Sequence, residues 1–320
     1  MQIVGTGAVQ ADQPLTSAQI DARLGKPEGW TFAASGVATR AVMTRGSQID
    51  MALAAAQTAL SDAGLRANQL DLIVSACGIP YQTLPSTAPL VQRGLGLGDG
   101  AVAGFDVNST CLSFLTALDV VQALMAAGRY RAALIVSSEV ASRALPWDTQ
   151  PDVAALFADG AAAAVVVPGP GAFTARFRTF PSGYEACQIG AGGTRFDYAH
   201  DRAGFDAHST FQMDGRALFR LTAQHFGGFV QDLLDEAGVT RDQISCVIPH
   251  QASPGALQHM IRLCGFDPAR VVDLAATFGN QIAASLPTAL DHARRSGMQG
   301  KGLLLGTSAG VSFGGIVMDI

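Results

Sequence analysis

The chain carries the same connector twice. Ala63-Gly64-Leu65-Arg66-Ala67-Asn68-Gln69-Leu70 lines up with Ala237-Gly238-Val239-Thr240-Arg241-Asp242-Gln243-Ile244, and each copy follows a helical pattern and precedes a short apolar run. The match continues further on, where the helix ending at Gly128 and its strand correspond to the helix ending at Gly297 and residues 302–306. Duplication of a half rich in βαβ units restricts the fold to two pseudo-symmetric lobes, packed face to face, with a site at their junction. Pro168-Gly169-Pro170-Gly171 is the natural break. The halves are therefore expected over residues 1–168 and 169–320. On this alignment Cys111 falls opposite Asn280.

Between the connectors, apolar runs and helical periods alternate. Strands are expected near 1–9, 70–77, 102–107, 132–138, 161–167, 246–249 and 302–306, and helices near 15–24, 49–63, 83–94, 112–127, 214–237, 255–264 and 286–296. The class is α/β. Residues 29–45, with Trp30 near their start, read as an irregular loop that can cover an entrance, and Gly5-Thr6-Gly7 reads as a tight turn. With 48% hydrophobic and only 15% charged residues, most elements must be covered on more than one side.

Composition excludes several functions. A net charge of −5 argues against a nucleic-acid binder, which would need a basic face. The five cysteines form no CxxC pair and no zinc spacing, so no metal site is expected, and their odd count fits a reducing cytoplasm. No apolar stretch of membrane-spanning length and no leader pattern is read at the N-terminus, so no membrane association is expected.

Chemistry concentrates in three stretches. The first is FDVNSTCLSFL (105–115), which places Cys111 where a strand becomes a helix. Unpaired N–H groups and the positive helix end there favour a thiolate. Alone, such a cysteine reads equally as a nucleophile or as a small buried hydrophobe. The others are VIPHQAS, where His250 leaves a strand, and FGNQIAAS, where Asn280 precedes a helix. Ligands of open α/β sheets gather at such strand ends. A thiolate to take an acyl group and two N–H donors aimed at a developing oxyanion make a coherent set. Asp159, Asp214 and Glu139 read as capping or pairing acids.

STCLSF, IPHQAS and FGNQIAAS, together with FADGAAAAVV and the closing SAGVSFGG, resemble the β-ketoacyl-ACP synthase III group of the thiolase superfamily along the whole chain. The resemblance implies a five-layered αβαβα fold, a homodimer, no cofactor, and ping-pong acyl transfer from an acyl thioester on coenzyme A or acyl carrier protein. Cys111 would be acylated, malonyl-ACP would follow, and His250 with Asn280 would stabilise the enolate left by decarboxylation. The N–H groups of Cys111 and Gly310 would form the oxyanion hole. Trp30 matches the residue that stacks on adenine, but the two family arginines that accompany it are Ala34 and Pro151 here. Ser253 replaces the asparagine of the usual HQAN and puts a pantetheine contact in question. Arg220 and Arg262 match carrier-docking positions. Leu84 matches a phenylalanine that a dimer partner inserts beside the acyl pocket, which implies medium or longer acyl chains. Related chemistries are head-to-head or β-ketoacyl condensation in pyrone, quinolone or resorcinol-type pathways, and acyl transfer to oxygen or nitrogen. Residues 80–90 offer no carboxylate for the base used in the olefin-precursor branch.

Overall fold

A computed structural model describes all 320 residues. The first sheet contains β1 (Gln2–Gln10), β2 (Leu72–Ser75), β3 (Ala103–Asp106), β4 (Ala133–Glu139) and β5 (Gly160–Val167), in the order β1-β5-β4-β2-β3. β2 runs parallel to both β3 and β4, whereas β5 is antiparallel to β4 and β1. The second sheet contains β6 (Phe173–Thr179), β7 (Cys246–Pro249), β8 (Lys301–Ser308) and β9 (Ser312–Asp319), in the order β7-β8-β9-β6.

Side-chain alternation assigns the layers. Along β2, Leu72 and Val74 enter one core while Ile73 enters another; along β8, Leu304 enters the first and Leu303 and Leu305 a third. The shared core lies between the sheets. It is filled by two helices, α2 (Ser113–Ala126) and α5 (Ser285–Arg295), through residues such as Phe114, Leu118, Leu286 and Leu290. α1 (Gln48–Asp62) covers the outer face of the first sheet, and α3 (Gly215–Ala237) with α4 (Pro254–Cys264) covers that of the second. Helix, sheet, helices, sheet and helices make the five-layered αβαβα thiolase fold. Strands buried on both faces explain the nearly continuous apolar runs of the sequence. No helix is long and apolar enough to cross a membrane, and no group of three or more His, Cys, Asp or Glu side chains is placed to hold a metal.

Two local expectations are corrected. Gly5 and Gly7 lie inside β1 rather than in a turn; a Cβ there would stand 2.3 Å from Ala59 O and 2.6 Å from Ala55 O, so the missing side chains let α1 lie against the strand. Residues 29–45 are ordered, with a short helix at Trp30–Ser35 and a strand at Thr39–Val42 that pairs with Gln13–Thr16. The helix lacks a side-chain cap, and the Asp21 carboxylate instead receives the N–H groups of Gly29 and Thr31, both at 2.8 Å. That support comes from outside the segment, which is why local sequence does not announce it.

Candidate active site

β3 leads into a tight turn, Thr110–Leu112, from which α2 begins at Ser113. Asn108 organises it: its Oδ1 accepts the Thr110 N–H at 2.9 Å and its Nδ2 donates to Gly78 O at 3.2 Å. Ser113 Oγ accepts the Ser109 N–H at 3.0 Å, and Thr110 adopts φ 51°. The other half repeats this turn contact for contact. Asn280 Oδ1 accepts Ile282 N–H at 2.8 Å, Asn280 Nδ2 donates to Ala252 O at 3.2 Å, Ser285 Oγ accepts Gln281 N–H at 2.8 Å, and Ile282 adopts φ 51°. Asn280 is thus the twin of Asn108, and the residue opposite Cys111 is Ala283, not Asn280. The shared signal in sequence is Asn followed five positions later by Ser, in NSTCLS and NQIAAS.

His250 is the first residue after β7, and its N–H donates to Leu305 O of β8 at 2.8 Å. Gln251 locks the following loop by donating to Pro249 O and Val272 O and accepting from Leu274 N. Gly306 of β8 joins the two sides of the site. A Cβ on it would stand 2.9 Å from His250 Cβ and 3.1 Å from Leu112 Cδ2, so the histidine and the neighbour of Cys111 meet across a position with no side chain. Asn280 reaches the same place through its bond to Ala252, two residues beyond His250. Gly306→Ala is expected to cost about 1–3 kcal/mol of stability by overpacking and to reduce turnover at least about tenfold by displacing His250. Denaturant unfolding and steady-state kinetics on the same preparation check both.

Burial dominates the electrostatics. It pushes the Cys111 thiol up, and Cys187 and Glu139 act in the same direction, while the N–H groups of Cys111 and Ala309 oppose it. The thiolate expected from the helix terminus is therefore not the resting form. The second N–H acting on the sulfur is that of Ala309, one residue before the Gly310 expected from the resemblance. Gly310 itself adopts φ 121°, a glycine conformation that shapes the turn. His250 is 6% exposed, and burial pushes it down to about 4, so the imidazole is neutral at pH 7. Its Nδ1 is buried without a partner. Nε2 is not among the buried unpartnered atoms, so it is the ring nitrogen open to the site.

The His250 shift has a consequence for stability. Between its ordinary value of 6.5 and about 4, the unfolded chain binds a proton that the folded chain refuses. Stability therefore falls as pH drops through that window, by roughly 3 kcal/mol from this group. Denaturant titrations of His250→Gln are expected to show a flatter acid limb than the parent.

The remaining expected residues lie apart from the three. Trp30, half-buried, carries the Lys26 ammonium 5.0 Å from its ring centroid. Ser253 is the N-cap of α4, accepting the Ala256 N–H at 3.1 Å, which uses one acceptor position of the hydroxyl expected to make a cofactor contact. Trp30 and Ser253 belong to neighbouring segments, since Gly36 abuts Pro254. Arg220 on α3 and Arg262 on α4 are exposed and carry no ion pair. Leu84 is 83% exposed and lies outside the apolar cluster around Cys111. That cluster is built on Ala141, Val153, Phe157 and Ile282, with Phe211 edge-on to Phe157 at 5.0 Å.

Residues 105–180 match the family described as 3-oxoacyl-[acyl-carrier-protein] synthase III, and residues 234–320 match the C-terminal region of the same family. The β-ketoacyl-[acyl-carrier-protein] synthase III of Rhodospirillum rubrum is 36% identical over 307 residues, 95% of this chain and 93% of that one. The chain belongs to the β-ketoacyl-ACP synthase III family. Among solved structures of the family, the enzyme from Aquifex aeolicus superposes with a TM-score of 0.89 at 27% identity, covering 99% of both chains. The one from Pseudomonas aeruginosa gives 0.88 at 28% identity, covering 99% of this chain and 97% of that one. A β-ketoacyl-ACP synthase III is a condensing acyltransferase, and this chain is an enzyme of that type.

Proposed function

We propose that this enzyme joins an acyl group held on Cys111 to the two-carbon unit left when malonyl-ACP loses carbon dioxide. Residues 1–168 would supply the nucleophile, and residues 169–320 the imidazole and carboxamide. The observation that carries the reading is the meeting of His250, Leu112 and Asn280 around Gly306 and Ala252. In the first half-reaction the Cys111 sulfur attacks a donor thioester. Negative charge developing on the carbonyl oxygen meets the N–H groups of Cys111 and Ala309. The thiol proton leaves with the departing thiol, so the transfer needs no resting thiolate.

In the second half-reaction the bond from C2 of the malonyl unit to its carboxylate breaks, and the electron pair moves into an enolate. Its oxygen accepts hydrogen bonds from His250 Nε2–H and from the second N–H of Asn280, the first being held by Ala252 O. The carbanion attacks the Cys111 thioester, collapse of the tetrahedral adduct expels the Cys111 thiolate and releases 3-oxoacyl-ACP, and the thiolate takes up one proton from solvent to restore the thiol. A neutral His250 suits this step, because a hydrogen-bond donor is needed where charge appears only in the transition state.

Carrier protein is favoured over coenzyme A as the donor's handle. Arg220 and Arg262 are unpaired cations on packed helices, fitted to an acidic partner. Ala34 and Pro151 supply no guanidinium beside Trp30. Leu84 is a large exposed apolar side chain, and β3 is a sheet edge with one unpaired side. Both features support a homodimer in which Leu84 of each copy enters the pocket of the other. A leucine in that role leaves room for medium or longer acyl chains.

Intact-mass measurement after incubation with acetyl and octanoyl donors, each on coenzyme A and on carrier protein, tests the reading. The octanoyl carrier-protein thioester is expected to label Cys111, and malonyl-ACP to discharge it. Absence of any adduct at Cys111 would overturn the function. Equal or better labelling by acetyl donors would overturn the chain-length assignment.

A further inference from the structure

We propose that Glu139 is a positioning residue whose carboxylate, by accepting the amides of Gly78 and Ile79, holds the loop wedged between the Cys111 turn and the Asn280 turn and so keeps the two in fixed relation. The inference rests on the catalytic reading of those two turns.

Glu139 ends β4, is fully buried and has no cationic partner. One carboxylate oxygen accepts the Gly78 N–H and the other accepts the Ile79 N–H at 3.1 Å, and the Ala283 N–H favours the same charge from the other side. Gly78 and Ile79 belong to the loop after β2, in the first half. Ala283 belongs to the turn after Asn280, in the second. The side chain thus grips the first-half loop on the side where it meets the second-half turn.

The loop it holds is a wedge. Gly78 O accepts Asn108 Nδ2. A Cβ on Gly78 would stand 2.7 Å from Ile282 Cγ2 and 3.2 Å from Thr110 O. Gly78 therefore touches both residues that adopt φ 51°, and both are β-branched. Such residues enter the left-handed region only where their surroundings enforce it. The wedge supplies that enforcement on both sides, and Glu139 fixes the wedge. Burial alone pushes the Glu139 carboxyl up, but both of its oxygens accept backbone N–H groups, and these contacts hold the charged form. An amide side chain of the same shape has only one acceptor oxygen, so Gln would leave an N–H facing an NH₂.

The test compares E139Q and E139D with D71N. Asp71 is a remote control of like chemistry, accepting Arg131 N–H at 2.8 Å and Ala132 N–H at 3.0 Å. For E139Q, kcat is expected to fall at least about tenfold with KM for malonyl-ACP held within about twofold. D71N, with a comparable loss of Tm, is expected to keep its kcat. E139D, which retains both oxygens, is expected to lie between E139Q and the parent. A kcat loss in E139Q no larger than in D71N, or one confined to KM, would overturn the proposal. Should E139Q fail to fold, a parental kcat in E139D would overturn it, and a reduced kcat at parental Tm would support it. Parent enzyme inactive with every thioester would overturn the functional reading as well; an active parent with an unaffected E139Q overturns this inference alone.

Discussion

Cys111→Ala is expected to lose condensation by at least about 10³-fold while still decarboxylating malonyl-ACP. The separation follows from the geometry. Acyl transfer needs the sulfur and the N–H groups of Cys111 and Ala309. On the proposed mechanism decarboxylation needs the Nε2–H of His250 and the free N–H of Asn280, neither of which the substitution touches. Alanine fits the site, because the equivalent turn of the other half already carries Ala283 there with the same backbone conformation. Carbon dioxide release and 3-oxoacyl product measured in parallel check the expectation. Loss of both activities with an intact fold would mean that the sulfur takes part in decarboxylation, and retention of both would remove the covalent mechanism.

Asn280→Asp is expected to give the opposite split. One carboxylate oxygen can still accept the Ile282 N–H, so the turn persists. The other stands where Nδ2 donated to Ala252 O, bringing two acceptors together and pointing negative charge at an enolate. Losing one donor at a developing oxyanion costs about 10²–10³ in rate, and the added charge moves the result toward the upper end. Condensation and decarboxylation should fall together, while labelling of Cys111 by the acyl donor stays within a few-fold of the parent. A proportionate loss of labelling would show that Asn280 also serves the first half-reaction.

The places proposed to carry chemistry were legible because ends of elements in an α/β chain are marked by abrupt changes of pattern. Cys111 and His250 stand just after strands, and Asn280 stands between two short helical turns. The layers were legible for a related reason, since strands covered on both sides leave almost no polar positions. What sequence reasoning missed depends on contacts between distant segments. The resting state of the thiol is set by burial, which is a property of the packed molecule rather than of the helix start that drew attention to Cys111. Pairing Cys111 with Asn280 failed because the connectors on either side of the turns are offset by different amounts; only the hydrogen bonds of Asn108 and Asn280 fix the register. The shift from Gly310 to Ala309 is of the same kind, since a glycine suggests an approachable backbone without saying which neighbouring N–H turns inward. Glu139 was read as structural, and the fold shows what it supports.

The twin turns say something about how such a site can arise. In each, the asparagine is already required to shape the backbone, and only one of its amide hydrogens is used in doing so. The unused hydrogen is left over from scaffolding. Where that copy of the turn faces the cleft it becomes available for chemistry without any new residue, and the other copy needs only a sulfur in place of a methyl group. Two specialised catalytic parts then stem from one ancestral loop, each by a single small change of use.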